Sequence, residues 1–125
     1  MNIENIGEEL SCLVEKFEVT KSCLKLDELK EKLNAMLKER ESLTFWNNLN
    51  YAMQTNKDIK ALQDLFNVVH TLQIQITELI KTVKDLEKET DIEMLNLAFT
   101  ELIELKDKVD ELNVTTLFSM INATD

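Results

Sequence analysis

The chain has 125 residues, and its 24 acidic against 14 basic side chains give a formal net charge of -10 at pH 7. With no proline and one glycine, it lacks the turn formers of all-β folds and the glycine-rich loops that bind nucleotide phosphates. The acidic balance argues against direct sequence-specific nucleic-acid binding. No apolar run is long enough to span a membrane, and the N-terminus has no signal sequence, so we expect a cytoplasmic location.

Apolar residues spaced three and four apart predict two helices in the first third of the chain. The first covers residues 3–20, and the second covers residues 27–41 with Asp27 as its N-cap. A connector that mixes capping residues with the single tryptophan follows at residues 42–48. We expect Trp46 to be a packed hydrophobic anchor that clamps this connector against the helices.

A longer apolar pattern of near-heptad spacing predicts a third helix over residues 50–88. It either starts near residue 50 or follows a separate short helix, since Thr55 with Asp58 resembles a capping box. A fourth helix is predicted over residues 91–112, where Thr90 begins a second capping box with Glu93. A short link between two long helices makes them antiparallel.

These elements predict an all-α fold, an antiparallel bundle or coiled coil of three to four helices that forms one domain over residues 1–113. Residues 114–125 begin with β-branched and aromatic side chains, which favour a short strand-like tail. A lone strand has no partner here, so we expect the extended tail to lead into a central domain that the chain lacks.

Side chains that could do chemistry are few. His70 is the only histidine, and it has no second ligand at metal-binding spacing, so it is expected to be structural. Cys12 and Cys23 are expected to be reduced, buried thiols. No nucleophile stands beside a base, and we predict no catalytic residue, metal or cofactor. Four methionines are expected to fill gaps in the core: Met36, Met53, Met94 and Met120.

Three short motifs occur in order along the chain. Leu26 and Asp27 begin a lysine-rich helix, Phe45, Trp46 and Asn47 form the connector motif, and the stretch Leu117-Phe118-Ser119 lies near the end. With the two long helices between them, these motifs resemble the N-terminal domain of bacterial peptide chain release factor 2. Asn48-Leu49 stands where that family has Asp-Pro.

The resemblance implies that the whole protein acts in translation termination at UAA and UGA stop codons. It implies a helical arm directed towards the stalk base and GTPase-associated region of the ribosome, where release factor 3 also acts. The family's Gly-Gly-Gln and Ser-Pro-Phe motifs are missing from this sequence, so the chain itself is expected not to be an enzyme.

Two other readings explain part of the pattern. A self-contained coiled-coil adaptor or scaffold module explains the heptads equally well, but it has no use for the connector motif or the strand-like tail. A helical-bundle metalloenzyme is disfavoured by the lone His70.

Overall fold

The computed structural model describes the backbone of residues 2–122 and the side chains of residues 2–114. Over this range it contains no strand, which confirms the all-α class. A short 3₁₀ helix, Phe45–Asn47, lies between the second and third of its four α-helices. The helices are α1 (Ile3–Leu24), α2 (Leu26–Arg40), α3 (Leu49–Lys88) and α4 (Ile92–Asn122).

The helices divide into two compact units. Unit 1 consists of Met1–Cys23 and Thr71–Asp125, and unit 2 of Leu24–His70. The predicted grouping of residues 1–113 into one domain stays a prediction. Helix α3 is continuous from Leu49, so its first half belongs to unit 2 and its second half to unit 1.

The core of unit 1 comes from one apolar stripe on each of three helical segments. The buried side chains recur at spacings of three and four residues, as the sequence predicts for helices that share a core. They are Ile6, Leu10, Leu13 and Phe17 of α1, Leu72, Ile76, Leu79, Val83 and Leu86 of α3, and Ala98, Leu102, Leu105, Val109 and Leu112 of α4.

Polar contacts join α1 to the other two helical segments of unit 1. Lys16 pairs with Asp110 of α4, and the Lys21 ammonium donates a hydrogen bond to the Gln73 side chain of α3 at 2.7 Å. The Lys21 nitrogen also lies 4.7 Å from the centre of the Phe17 ring, a distance at which a cation is attracted to the ring face. These contacts fix α1 along the α3–α4 pair.

Unit 2 has a smaller core between α2 and the first half of α3. Leu33, Met36 and Ile59 are buried together, and Phe66 packs against them. The Lys30 nitrogen lies 5.6 Å from the centre of the Phe66 ring. Met36 therefore fills the core as predicted.

The helix starts differ from the predicted caps. Helix α2 begins after Lys25, which adopts a left-handed conformation with φ 52°, so Asp27 is not the N-cap and lies in the first turn instead. Asn48 caps α3 by accepting a hydrogen bond from the Tyr51 backbone N–H at 3.1 Å. Thr55 is buried inside that helix and starts none, so the predicted capping box there is wrong.

The cap of α4 is Asp91 rather than Thr90. The Asp91 carboxylate accepts hydrogen bonds from the backbone N–H groups of Glu93 and Met94, at 3.0 and 3.3 Å. A carboxylate also interacts favourably with the positive end of the helix dipole. The three residues from Glu89 to Asp91 form the link between α3 and α4.

The predicted strand-like tail is wrong over residues 114–122, because α4 continues through Asn122. No glycine or proline interrupts this stretch, and β-branched residues lower helix propensity by only about 0.5 kcal/mol each. A β-strand is stabilised by packing and hydrogen bonding with a neighbouring strand, and the described residues contain no strand. Residues 123–125 of the predicted tail lie outside the described residues.

Candidate interaction surfaces

The side chains with catalytic or metal-binding chemistry lie apart on the surface. His70 of α3 is exposed, and Cys12 and Cys23 of α1 are exposed free thiols. The prediction of buried thiols is therefore wrong. Cys12 lies between the buried residues Leu10 and Leu13 of α1 but is itself exposed, and Cys23 lies in the last turn of α1. No group of three or more His, Cys, Asp or Glu side chains within the described residues could hold a metal ion.

The connector between α2 and α3 is organised around Phe45. Its ring is 5% exposed, whereas the adjacent Trp46 is 54% exposed. The Trp46 ring meets Phe45 edge-on with centroids 5.2 Å apart. The predicted role of Trp46 as packed anchor is therefore wrong, and Phe45 takes that role. Neighbouring side chains in a 3₁₀ helix point about 120° apart, so only one of the two faces the core.

Five large apolar side chains around this connector are exposed, and we call them the connector patch. Their exposed fractions range from 47% to 98%. The sequence signal at this surface is the break in helical periodicity at residues 42–48, which predicts a connector but does not distinguish exposed from packed side chains. The patch consists of Leu43, Trp46, Leu49, Tyr51 and Met53. The expectation that Met53 fills a core gap is thus wrong, and so is the same expectation for Met94, which is 42% exposed. The side chain of Met120 lies outside the described ones.

One hydrogen bond joins the patch to α2. The Tyr51 hydroxyl donates to a Glu39 carboxylate oxygen, and this bond, with the negative charge of Glu39, raises the pKa of Tyr51 above its usual value. The Tyr51 ring also lies edge-on to Phe45, with centroids 6.2 Å apart. Tyr51 therefore ties the start of α3 to both the connector and α2.

The remaining motif residues are placed as follows. Leu26 is half-buried and Asp27 is exposed, both in the first turn of α2, and Asn47 ends the 3₁₀ helix with an exposed side chain. The structure thus brings Phe45, Trp46 and Asn47 into one turn. Leu117, Phe118 and Ser119 fall within α4, and their side chains lie outside the described ones.

The net charge is distributed unequally between the two units. Unit 2 has seven acidic and seven basic residues, whereas unit 1 has 17 acidic and seven basic ones. The whole excess of ten negative charges therefore belongs to unit 1. Unit 1 favours cationic partners, and unit 2 presents a neutral surface with the connector patch.

No helix in the part of the chain that the structure describes combines the length and hydropathy needed to cross a bilayer. The fold and these surfaces define a class of protein: an acidic all-α protein whose exposed apolar and charged surfaces are suited to binding other macromolecules.

Comparison with known proteins adds one relative. No protein-family model matches the chain. The chain is similar to peptide chain release factor 2 of Sulfurovum sp. (strain NBC37-1), with 24% identity over 119 residues. The aligned region covers 95% of this chain and 33% of the relative, so the chain spans about a third of the length of that protein. This similarity supports the resemblance to release factor 2 over nearly the whole chain.

Proposed function

We propose that the chain is the N-terminal helical arm of a release factor 2-like protein and helps to position that factor on the ribosome during translation termination. The observation that carries the proposal is the similarity to release factor 2 over 95% of the chain. The all-α fold with two long helices agrees with it. In this proposal the protein works in the cytoplasm.

The catalytic and codon-reading steps lie outside this chain. The sequence has no Gly-Gly-Gln and no proline, so neither the Gly-Gly-Gln nor the Ser-Pro-Phe motif of the family is available. Peptidyl-tRNA hydrolysis at UAA and UGA codons therefore belongs to other domains of the proposed factor. The chain contributes binding and no catalytic group.

The charge of the arm favours protein over RNA as its ribosomal contact. An excess of negative charge repels the phosphate backbone of ribosomal RNA and attracts basic proteins. The resemblance to release factor 2 implies that the contacted proteins are those of the stalk base and the GTPase-associated region, where release factor 3 also acts. The exposed Leu43 and Trp46 of the connector patch provide apolar surface for such a contact.

The second candidate is a self-contained adaptor or scaffold module with no role in termination. The continuous 40-residue helix α3 and the connector patch favour it, since both suit partner binding in any context. The two candidate functions differ in one expectation. The release-factor arm should bind the ribosome at the site that a release factor occupies, whereas the adaptor should not.

A competition experiment separates them. The labelled chain is mixed with purified ribosomes that hold a stop codon in the decoding site, and binding is measured with increasing Sulfurovum release factor 2. The proposal predicts binding that the intact factor displaces. Leu43→Ser with Trp46→Ser should weaken it, whereas the control pair Val19→Ser with Ile103→Ser, also exposed apolar positions, should not.

The same samples test the absence of catalysis. The chain alone should release no peptide from these ribosomes. Ribosome binding that release factor 2 does not displace would contradict the proposal and favour the adaptor. Peptide release by the chain alone would contradict the assignment of peptidyl-tRNA hydrolysis to other domains.

A further inference from the structure

A groove runs along unit 1 between the second half of α3 and the start of α4. Its walls include Gln75 of α3 and Met94, Leu97, Glu101 and Glu104 of α4, and its volume is about 450 Å³. We call it the hairpin groove. At Met94 it continues into a second hollow of about 760 Å³ at the turn between the two helices. Among the described residues, none of α1 is in the lining of this groove.

One wall of the groove is apolar and exposed. Met94 is 42% exposed and Leu97 is 63% exposed, although both lie in the helix that supplies much of the core of unit 1. Apolar side chains exposed along a groove between two helices are typical of sites that take a third helix by its apolar face.

The charged side chains of the walls are mainly acidic. Glu101 and Glu104 line the groove with Lys108 as a single base, and Glu89, Asp91 and Glu93 line the hollow at the turn. Since unit 1 also carries the whole negative excess of the chain, the potential in the groove favours a cation and disfavours phosphate or a second acidic copy.

Gln75 adds a hydrogen-bond acceptor to the wall. Its amide oxygen is buried and has no hydrogen-bond partner within the described residues. A buried acceptor without a donor is costly, so a ligand that brings N–H donors to this wall would gain a favourable contact.

We propose that the hairpin groove binds a basic amphipathic helix of a protein partner. Leucine-like side chains of that helix contact Met94 and Leu97, and its lysine or arginine side chains pair with Glu101 and Glu104. The proposal rests on unit 1 alone and does not depend on the role in termination.

Fluorescence anisotropy with a synthetic helix tests the proposal. The probe is a fluorescein-labelled peptide of leucine and lysine at helical spacing, about four turns long, titrated with the full chain. A peptide with glutamate in place of lysine is the charge control. Binding of the lysine peptide, weakened by added salt, and no binding of the glutamate peptide are expected.

Matched variants locate the site. Glu101→Lys with Glu104→Lys should weaken binding about tenfold or more, whereas Glu8→Lys with Glu9→Lys, exposed positions on α1 outside the groove, should change it less than about threefold. Leu97→Ala should weaken binding, and Ile103→Ala, another exposed position of α4, should not. Circular dichroism checks that each variant remains folded.

Three results would overturn the proposal. The first is equal weakening by the two charge-reversed pairs, which would mean attraction to net charge rather than to the groove. The second is no binding of the lysine peptide. The third is self-association in sedimentation that Leu97→Ala abolishes, which would assign the groove to a second copy of the chain. None of these results bears on the ribosome competition experiment.

Discussion

The packing of α4 gives a quantitative prediction from two leucines in one helix. Leu102 is 1% exposed and Leu97 is 63% exposed. Replacing a buried leucine by alanine removes about three carbon groups, each contributing about 0.8 kcal/mol of transfer free energy. The cavity that remains adds to this loss, so Leu102→Ala should lower the free energy of unfolding by about 3 kcal/mol.

Leu97→Ala is the matched control because it makes the same chemical change in the same helix. With 63% of the side chain already in water, the lost transfer free energy is about 0.9 kcal/mol. The higher helix propensity of alanine offsets a few tenths of a kcal/mol of that. The two variants should therefore differ by about 2 kcal/mol or more in stability.

Urea unfolding followed by circular dichroism at 222 nm measures both effects, with the slope of the transition checked for each variant. In thermal unfolding followed by the same signal, the melting temperature of Leu102→Ala should fall by about 10 °C or more. The melting temperature of Leu97→Ala should fall by only a few degrees. Equal losses for the two variants, or a loss below about 1 kcal/mol for Leu102→Ala, would refute the packing of α4 described above.

Three further predictions concern a cap, a titration and two thiols. Asp91→Ala should destabilise the chain by about 1 kcal/mol in the same urea assay, because two backbone N–H groups of α4 lose their acceptor; no change would mean that the cap is not formed. Tyr51 is the only tyrosine, so a titration followed by phenolate absorbance reports the pKa of Tyr51 alone. Glu39→Gln should lower this raised pKa towards the usual value. An unchanged pKa would exclude the hydrogen bond between Tyr51 and Glu39. Cys12 and Cys23, both exposed, should react with a thiol reagent in native buffer as fast as in urea, and protection in the native chain would contradict their placement.

The sequence predicted those features of the fold that depend on periodicity. Leu102, Leu105 and Val109 recur at three- and four-residue spacing, and all three are buried. The absence of proline and the single glycine excluded sheet-rich folds for a physical reason, the lack of turn formers. The helices and their cores could therefore be inferred before the structure.

Features that depend on single backbone conformations could not be inferred. Asp27 has a capping side chain, but α2 begins one residue earlier, after Lys25 in a left-handed conformation. Trp46 and Phe45 are neighbours with large aromatic rings, and the geometry of the 3₁₀ helix allows only one of them to face the core. Local residue preferences differ by less than the tertiary contacts that select among these alternatives.

The candidate surfaces were predicted only in part. The connector motif consists of Phe45, Trp46 and Asn47, and the structure places them in one turn. The hairpin groove was missed, because Met94 was expected to fill a gap in the core. Met94 is instead 42% exposed, and no local sequence pattern encodes which helix positions a neighbouring element covers.

We propose that this chain serves as a domain of a release factor. A chimera in which this chain replaces the matching third of Sulfurovum release factor 2 tests this role directly. The rate of peptide release is measured on purified ribosomes at UGA and UAA codons, with the concentration of the release factor limiting. The chimera should release peptide faster than the same factor carrying an unrelated acidic helical hairpin in that position. Equal rates for the two chimeras would contradict it.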